Sequence, residues 1–101
     1  MSVFQIARRK GIRIEFDDLG TWGSRAELRS EYDPNGPTIR INTRAILKRR
    51  GHDIAAFINF AVAHEIYHHQ EHGRKVRKIA DHTQRERAAD DFASQLVRSV
   101  R

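Results

Sequence analysis

The chain has 101 residues, 39% of them hydrophobic, with 19 Lys and Arg against 13 Asp and Glu and no cysteine. That length supports one small domain with a single core, near the size where extra fastening helps, and the missing cysteine excludes a disulfide framework and any thiolate metal site, which fits a reducing compartment. The longest apolar run, Ile54 to Ala63, is broken by Asn59 and too short to span a bilayer, and Met1 to Lys10 lacks the apolar core of a secretory signal, so a cytoplasmic protein without membrane contact is expected.

Ser2 to Lys10 predicts a short first helix, with Ser2 as N-cap and Val3, Ile6 and Ala7 on one face, ended by Gly11. Ile12, Ile14 and Phe16 then alternate with Arg13, Glu15 and Asp17, the pattern of a half-buried strand that stops at Asp18-Leu19-Gly20. Arg25 to Tyr32 alternates less cleanly, with Ala26, Leu28 and either Ser30 or Tyr32 inward, and leads into the turn Asp33-Pro34-Asn35-Gly36-Pro37. Thr38 to Asn42 reads as a short strand with Ile39 and Ile41 inward. Strands flanking such a turn make a hairpin, so a small, largely antiparallel sheet of about three strands is expected. Asn42 or Thr43 caps a short helix, Arg44 to Arg50, which Gly51 ends. The central helix opens at His52 or Asp53, runs to about His72 and ends at Gly73. A loop from Arg74 to Asp81 leads to the last helix, whose core face runs through Ala89, Ala93 and Leu96.

The formal charge of +6 lies mainly in the first half: Met1 to Arg50 carries 11 basic and 6 acidic residues, Gly51 to Arg101 carries 8 and 7. The clusters Arg8-Arg9-Lys10, Lys48-Arg49-Arg50 and Arg74-Lys75-Val76-Arg77-Lys78 read as solvated helix ends and loops, where cations suit the macrodipole. No helix-turn-helix, zinc-finger or aromatic-interleaved pattern accompanies them, so nucleic acid is not the expected direct partner.

Chemistry concentrates in the central helix, where His64-Glu65-Ile66-Tyr67-His68 is an HExxH match. Four residues of α-helix turn through about 400° and rise roughly 6 Å, so His64 and His68 project from one face a turn apart and can share a tetrahedral metal ion. Glu65 lies about 100° round the helix, in the position of a general base toward a metal-activated water. Phe57, Ala61, His64, Glu65 and His68 fall in one sector, so the motif continues a buried face. The pattern is short enough to arise by chance, and its context must carry the reading.

Zinc needs a third protein ligand and an open fourth position for catalysis. Glu86, 18 residues after His68, shares the core face of the last helix, with Asp90 one turn further on. A core-facing carboxylate is costly unless a cation compensates it, and a zinc ion held by two histidines is such a cation; the plainer alternative is an exposed first-turn glutamate favoured by the helix dipole. Asp90 is then placed to accept the free N–H of a ligating imidazole, His64 foremost, and otherwise to pair with Arg87 or Arg85.

His72 continues the histidine stripe, yet the elongated HExxHxxGxxH spacing fails because Glu71 stands at the Gly position, and His72 reads as a helix-end cation. His69, His82 and Tyr32 are candidates for contacts to a substrate or a developing oxyanion, with surface placement the commoner fate of the histidines and packing that of Tyr32. Trp22 is a second candidate to line the cleft, and His52 reads as a helix-boundary residue.

HEIYH followed by ERAADDFA, preceded by two short strand patterns, resembles the ImmA/IrrE family of metallopeptidases within the gluzincin group, which pairs HExxH with a downstream ExxxD. The resemblance covers almost the whole chain and implies an α+β, zincin-like fold in which a three-stranded sheet packs on the HExxH helix and the C-terminal helix. It also implies one Zn2+ per chain held by His64, His68 and Glu86, with Glu65 as general base and Asp90 supporting the ligands. The implied function is a zinc-dependent endopeptidase acting on a protein or peptide substrate, of which a helix-turn-helix transcriptional repressor is the kind the family suggests. The chain departs from the family at Tyr67, where many members have Gly, and at Ala88, where many have a second Glu. It is similar too to stand-alone minimal gluzincins, so residues 1 to 101 are expected to form a single minimal catalytic domain. The alternative reading is a catalytically silent or latent, zinc-supported protein-binding module.

Overall fold

The computed structural model describes residues 1–21 and 28–100. Over them the elements run α1 (Val3–Arg9), β1 (Arg13–Asp17), β2 (Ser30–Asp33), β3 (Thr38–Asn42), α2 (Thr43–Ile46), α3 (His52–His72) and α4 (His82–Ser99). The readings made for Trp22 and for the start of the second strand at Arg25 and Ala26 lie outside the described residues.

Local chemistry sets most of these boundaries. Ser2 closes a capping box on α1: its hydroxyl accepts from the Gln5 N–H, while the Gln5 side chain accepts from the Ser2 N–H. Asp81 caps α4 by accepting from the Gln84 N–H at 2.9 Å. Gly51 does not end α2 but stands at the N-cap of α3, at φ +57° and ψ −134°, a conformation open to little else than glycine. The short helix also stops sooner than expected. After Ile46 the Lys48 and Arg49 N–H groups bond three residues back, to Ala45 and Ile46, so the chain tightens into single turns instead of extending α2 to Arg50.

The sheet has the order β1-β3-β2 and is mixed. β2 and β3 form the expected antiparallel hairpin, with Tyr32 opposite Ile39. β1 runs parallel to β3, with Ile14 opposite Ile39 and Phe16 opposite Ile41; the largely antiparallel expectation is corrected to one parallel and one antiparallel pairing. Alternation along β3 divides the two faces. Ile39 and Ile41 are fully buried on the helix side. On the outer side, Arg40 bridges Glu15 of β1 at 3.5 Å and Glu31 of β2 at 3.3 Å, a cross-strand charge ladder. Phe16, expected inward, is 51% exposed, because at the end of an edge strand it lies beyond the cover of the helices.

The core joins Val3 and Ala7 of α1, Ile39 and Ile41 of β3, Phe57, Ala61, Val62 and Ile66 of α3, and Ala93 of α4. α3 is the central element, packed by the sheet, α1 and α4. Fully buried alanines at positions 63, 89 and 93 let α3 and α4 approach closely. The result is an α+β, zincin-like arrangement: a three-stranded sheet against the helix that carries HExxH, and a C-terminal helix alongside it. No helix among the described residues is long and apolar enough to cross a membrane.

Asn42, 2% exposed, ties the loops to this frame. Its Oδ1 accepts from the Leu19 and Arg44 N–H groups, and its Nδ2 donates to the Gly20 and Leu28 carbonyls at 2.9 and 2.6 Å, so every polar group it has is used. Asn42→Ala strands several buried groups at once and is expected to lower stability by about 3 kcal/mol, read as the shift of a urea unfolding midpoint; a loss below about 0.5 kcal/mol, the level of an ordinary surface change, would contradict this.

Candidate metal centre

The last turns of α3 face α4 on one side and β2 on the other, and the polar groups of all three elements meet there. His64 and His68 present their Nε2 atoms to each other at 3.3 Å. Glu86 of α4 completes the triangle, with Oε1 3.5 Å from His64 Nε2 and Oε2 3.0 Å from His68 Nε2. For a tetrahedral zinc with bonds of about 2.0–2.1 Å, neighbouring ligand atoms lie roughly 3.3 Å apart. The separation of the two Nε2 atoms equals that value, and each is within 3.5 Å of one of the two Glu86 oxygens. Two imidazole nitrogens and a carboxylate converging on one point are a donor set that suits a zinc ion in both spacing and chemistry.

Both imidazoles are backed by carboxylates at their far nitrogen. His64 Nδ1 lies 2.8 Å from Asp90 Oδ1, and a proton on Nδ1 donated to Asp90 leaves the Nε2 lone pair facing the other donors. His68 Nδ1 lies 3.6 Å from Glu71 Oε1, at charge-pair distance. Glu71, only 7% exposed, is itself held by the Arg85 guanidinium, which reaches its two oxygens at 3.1 and 2.5 Å. That pairing keeps the Glu71 carboxyl below its ordinary pKa, with burial opposing and His68 adding a smaller pull in the same direction. Arg85 is thereby committed to Glu71 rather than to Asp90.

Glu65 points the other way. It is 4% exposed, and its Oε2 accepts from the Ser30 hydroxyl on β2 at 2.6 Å. Burial pushes its carboxyl up, partly offset by the nearby charge of His64, the Ser30 bond and the charge of His68. Its donor atoms and those of His64 and His68 all lie within 4.8 Å of one another, so this trio too is a cluster capable of holding a metal ion. Glu65 already has a short bond to Ser30, whereas the two Glu86 oxygens reach the two Nε2 atoms directly.

An open cleft of about 370 Å3 exposes the site, with His68, Glu65 and Glu86 in its wall and Tyr32 and His82 at its margin. The Tyr32 hydroxyl lies 2.7 Å from His69 Nδ1; burial raises the phenol pKa, and burial, with Lys10 and His72 nearby, lowers that of the imidazole. His72 is exposed at the end of α3. Tyr67 packs against Phe92 of α4, ring centroids 5.8 Å apart, and so fills the seam between the helices where a glycine would leave space.

The structure thus brings His64, Glu65, His68, Glu86 and Asp90 together and sets Tyr32 and His82 in the cleft, with His69 behind Tyr32 as the partner of its hydroxyl. Ser30 and the Glu71–Arg85 pair were missed by sequence reasoning. Ser30 shares a strand face with Tyr32, the one signal that could have drawn attention to it. Asp90→Ala is expected to weaken zinc affinity about 10- to 100-fold by freeing the His64 ring, as measured by competition with a chromophoric chelator; unchanged affinity would remove Asp90 from the site. Comparison of the chain with protein-family models, with curated proteins and with solved structures finds no match, so the centre rests on the chain's own residues: a His/Glu cluster able to hold a metal ion, in a zincin-like α+β frame.

Proposed function

We propose that the chain is a zinc-dependent endopeptidase of the kind the ImmA/IrrE resemblance implies, cutting an extended segment of a protein substrate. The observation that carries this reading is the triangle of His64, His68 and Glu86 donors at 3.0–3.5 Å, with Glu65 beside it and tied to Ser30. His64 Nε2, His68 Nε2 and the Glu86 carboxylate would hold the ion. Bound there, zinc supplies Lewis acidity, polarising a carbonyl and acidifying a water. Glu65 takes the proton from the attacking water and returns it to the leaving amine. Asp90 fixes the His64 ring, and Arg85 acts through Glu71 on His68.

Among the described residues β2 pairs only with β3 and so stands at an edge of the sheet, the position at which a substrate strand adds. β2 also supplies Tyr32 to the cleft and Ser30 to Glu65 in its wall. A peptide laid along that edge gains main-chain hydrogen bonds beside the reacting groups, and the Tyr32 hydroxyl, oriented by His69, is the candidate donor to the developing oxyanion. By the same resemblance, the substrate is a transcriptional repressor, met in the cytoplasm.

One observation favours a second reading. Glu65 is close enough to both histidines to act as a fourth ligand, which would close the site and leave a zinc-supported binding module. The zinc-loaded protein, incubated with a mixed peptide library and read by mass spectrometry, should produce cuts that a chelator abolishes and added zinc restores. Stoichiometric zinc with no cut peptide would favour the binding module.

A further inference from the structure

The cleft beside the histidines continues into a second depression of about 690 Å3 formed by the segment after α3, and Glu71, His72 and Lys78 line both. That segment carries Arg74, Lys75, Arg77 and Lys78, all exposed. The carboxylates nearby are already engaged: Glu65 with Ser30, Glu71 with Arg85, Glu86 with His68. Among the described residues, none of the four cations has an ion-pair partner. Glu71, which lines both depressions, is matched by Arg85, and the rim beyond it carries these four cations without an ion-pair partner among the described residues.

The backbone supplies an independent observation. Where α3 ends, the Lys75 N–H bonds to the Gln70 carbonyl at 2.8 Å and the Arg74 N–H to the Glu71 carbonyl at 3.1 Å, the paired bonds of a Schellman turn. The left-handed residue of that turn is Arg74, at φ +61°, while Gly73 before it sits at an ordinary φ of −79°. Glycine is the usual occupant of the left-handed place, and a residue with a Cβ is strained there. The fold thus keeps a cation in a strained position beside the cleft, and such strain gathers at binding and catalytic sites.

We infer that the rim from Arg74 to Lys78 is a subsite for an acidic stretch of the peptide substrate, engaging Asp or Glu side chains a few residues from the bond to be cut. The inference rests on the peptidase reading for its placement along a substrate, but binding by the rim needs no cleavage. Guanidinium groups offer carboxylates a planar fork and the lysines offer point charges. Across an exposed rim this attraction is screened within about 10 Å at 0.1 M salt. Nucleic acid is the weaker candidate, because no Trp, Tyr or Phe lines the second depression to stack a base.

The test is fluorescence anisotropy of a labelled octaglutamate peptide and a neutral Gly-Ser peptide of equal length, on Glu65→Gln protein in zinc-containing buffer. The octaglutamate is expected to bind at least about tenfold tighter than the neutral peptide at roughly 20 mM salt and to lose most of that preference at roughly 300 mM. Joint Arg77→Ala and Lys78→Ala substitution should weaken it about tenfold. Arg74→Gly gives a split result: the melting midpoint rises by about 4 °C as strain is relieved, zinc content holds, and octaglutamate affinity falls about threefold or more. Equal affinity for the two peptides, or an octaglutamate affinity indifferent to Arg74, Arg77 and Lys78, would overturn the inference. So would a DNA duplex of matched charge that binds tighter through these same residues. If the wild-type protein cuts no peptide yet the rim binds octaglutamate as described, the subsite stands and the peptidase reading falls.

Discussion

Glu65→Gln is expected to lower kcat by roughly 10²- to 10⁴-fold, the share of a positioned general base, while zinc content and melting midpoint stay near wild type. The substitution replaces a proton acceptor with an amide of the same shape. Ser30 can keep its hydrogen bond to the amide oxygen, and a neutral group suits a position only 4% exposed. The same variant also separates the two readings of the site. Loss of zinc with Glu65→Gln would make Glu65 a ligand and the centre a closed one, whereas full activity would remove Glu65 from the mechanism altogether. Steady-state kinetics on a cleaved peptide, run beside metal analysis of the same sample, distinguishes all three outcomes.

The second large effect is on stability. His64 and His68 stand on α3 and Glu86 on α4, so a bound ion cross-links the two helices beside the Tyr67–Phe92 contact. A ligand at a free concentration of about 100 times its Kd stabilises by about 2.7 kcal/mol. A domain of this size moves by about 4–8 °C in Tm per kcal/mol. Zinc should therefore raise the melting midpoint by roughly 10–20 °C, and chelation should take that rise away. His68→Ala is expected to abolish the zinc-dependent shift, each protein being compared with its own metal-free midpoint. A zinc-induced rise that survives in His68→Ala would place the ion elsewhere in the molecule.

The parts of the fold that local chemistry controls were legible in the sequence. Ser2 caps α1, Gly73 ends α3, and the alternation of Thr38 to Asn42 defines β3. These signals act within a few residues and need no knowledge of neighbours. The parallel pairing of β1 with β3 was not legible, because alternation tells which face a strand buries but not which strand lies beside it. Phe16 illustrates the same limit: its side of the strand was readable, whereas the reach of the helix layer over an edge strand was not. At the site, HExxH on a helix fixes by spacing alone that His64 and His68 share a face. How near Glu86 and Asp90 come depends on the docking of α4, and Ser30 reaches Glu65 only through the placement of β2 against α3. The Arg85–Glu71 pair spans the loop between the two helices, a contact that no periodicity encodes.

The central claim is that His64, His68 and Glu86 together hold one zinc ion. Elemental analysis with a calorimetric zinc titration of the purified protein, beside His68→Ala and Glu86→Ala, tests it most directly. One zinc per chain is expected in the wild type, with an affinity at least about tenfold weaker in each variant, a loss of roughly 1.4 kcal/mol or more. A wild-type protein that neither carries zinc nor takes it up, or a Glu86→Ala variant that binds it as tightly as the wild type, would contradict the account.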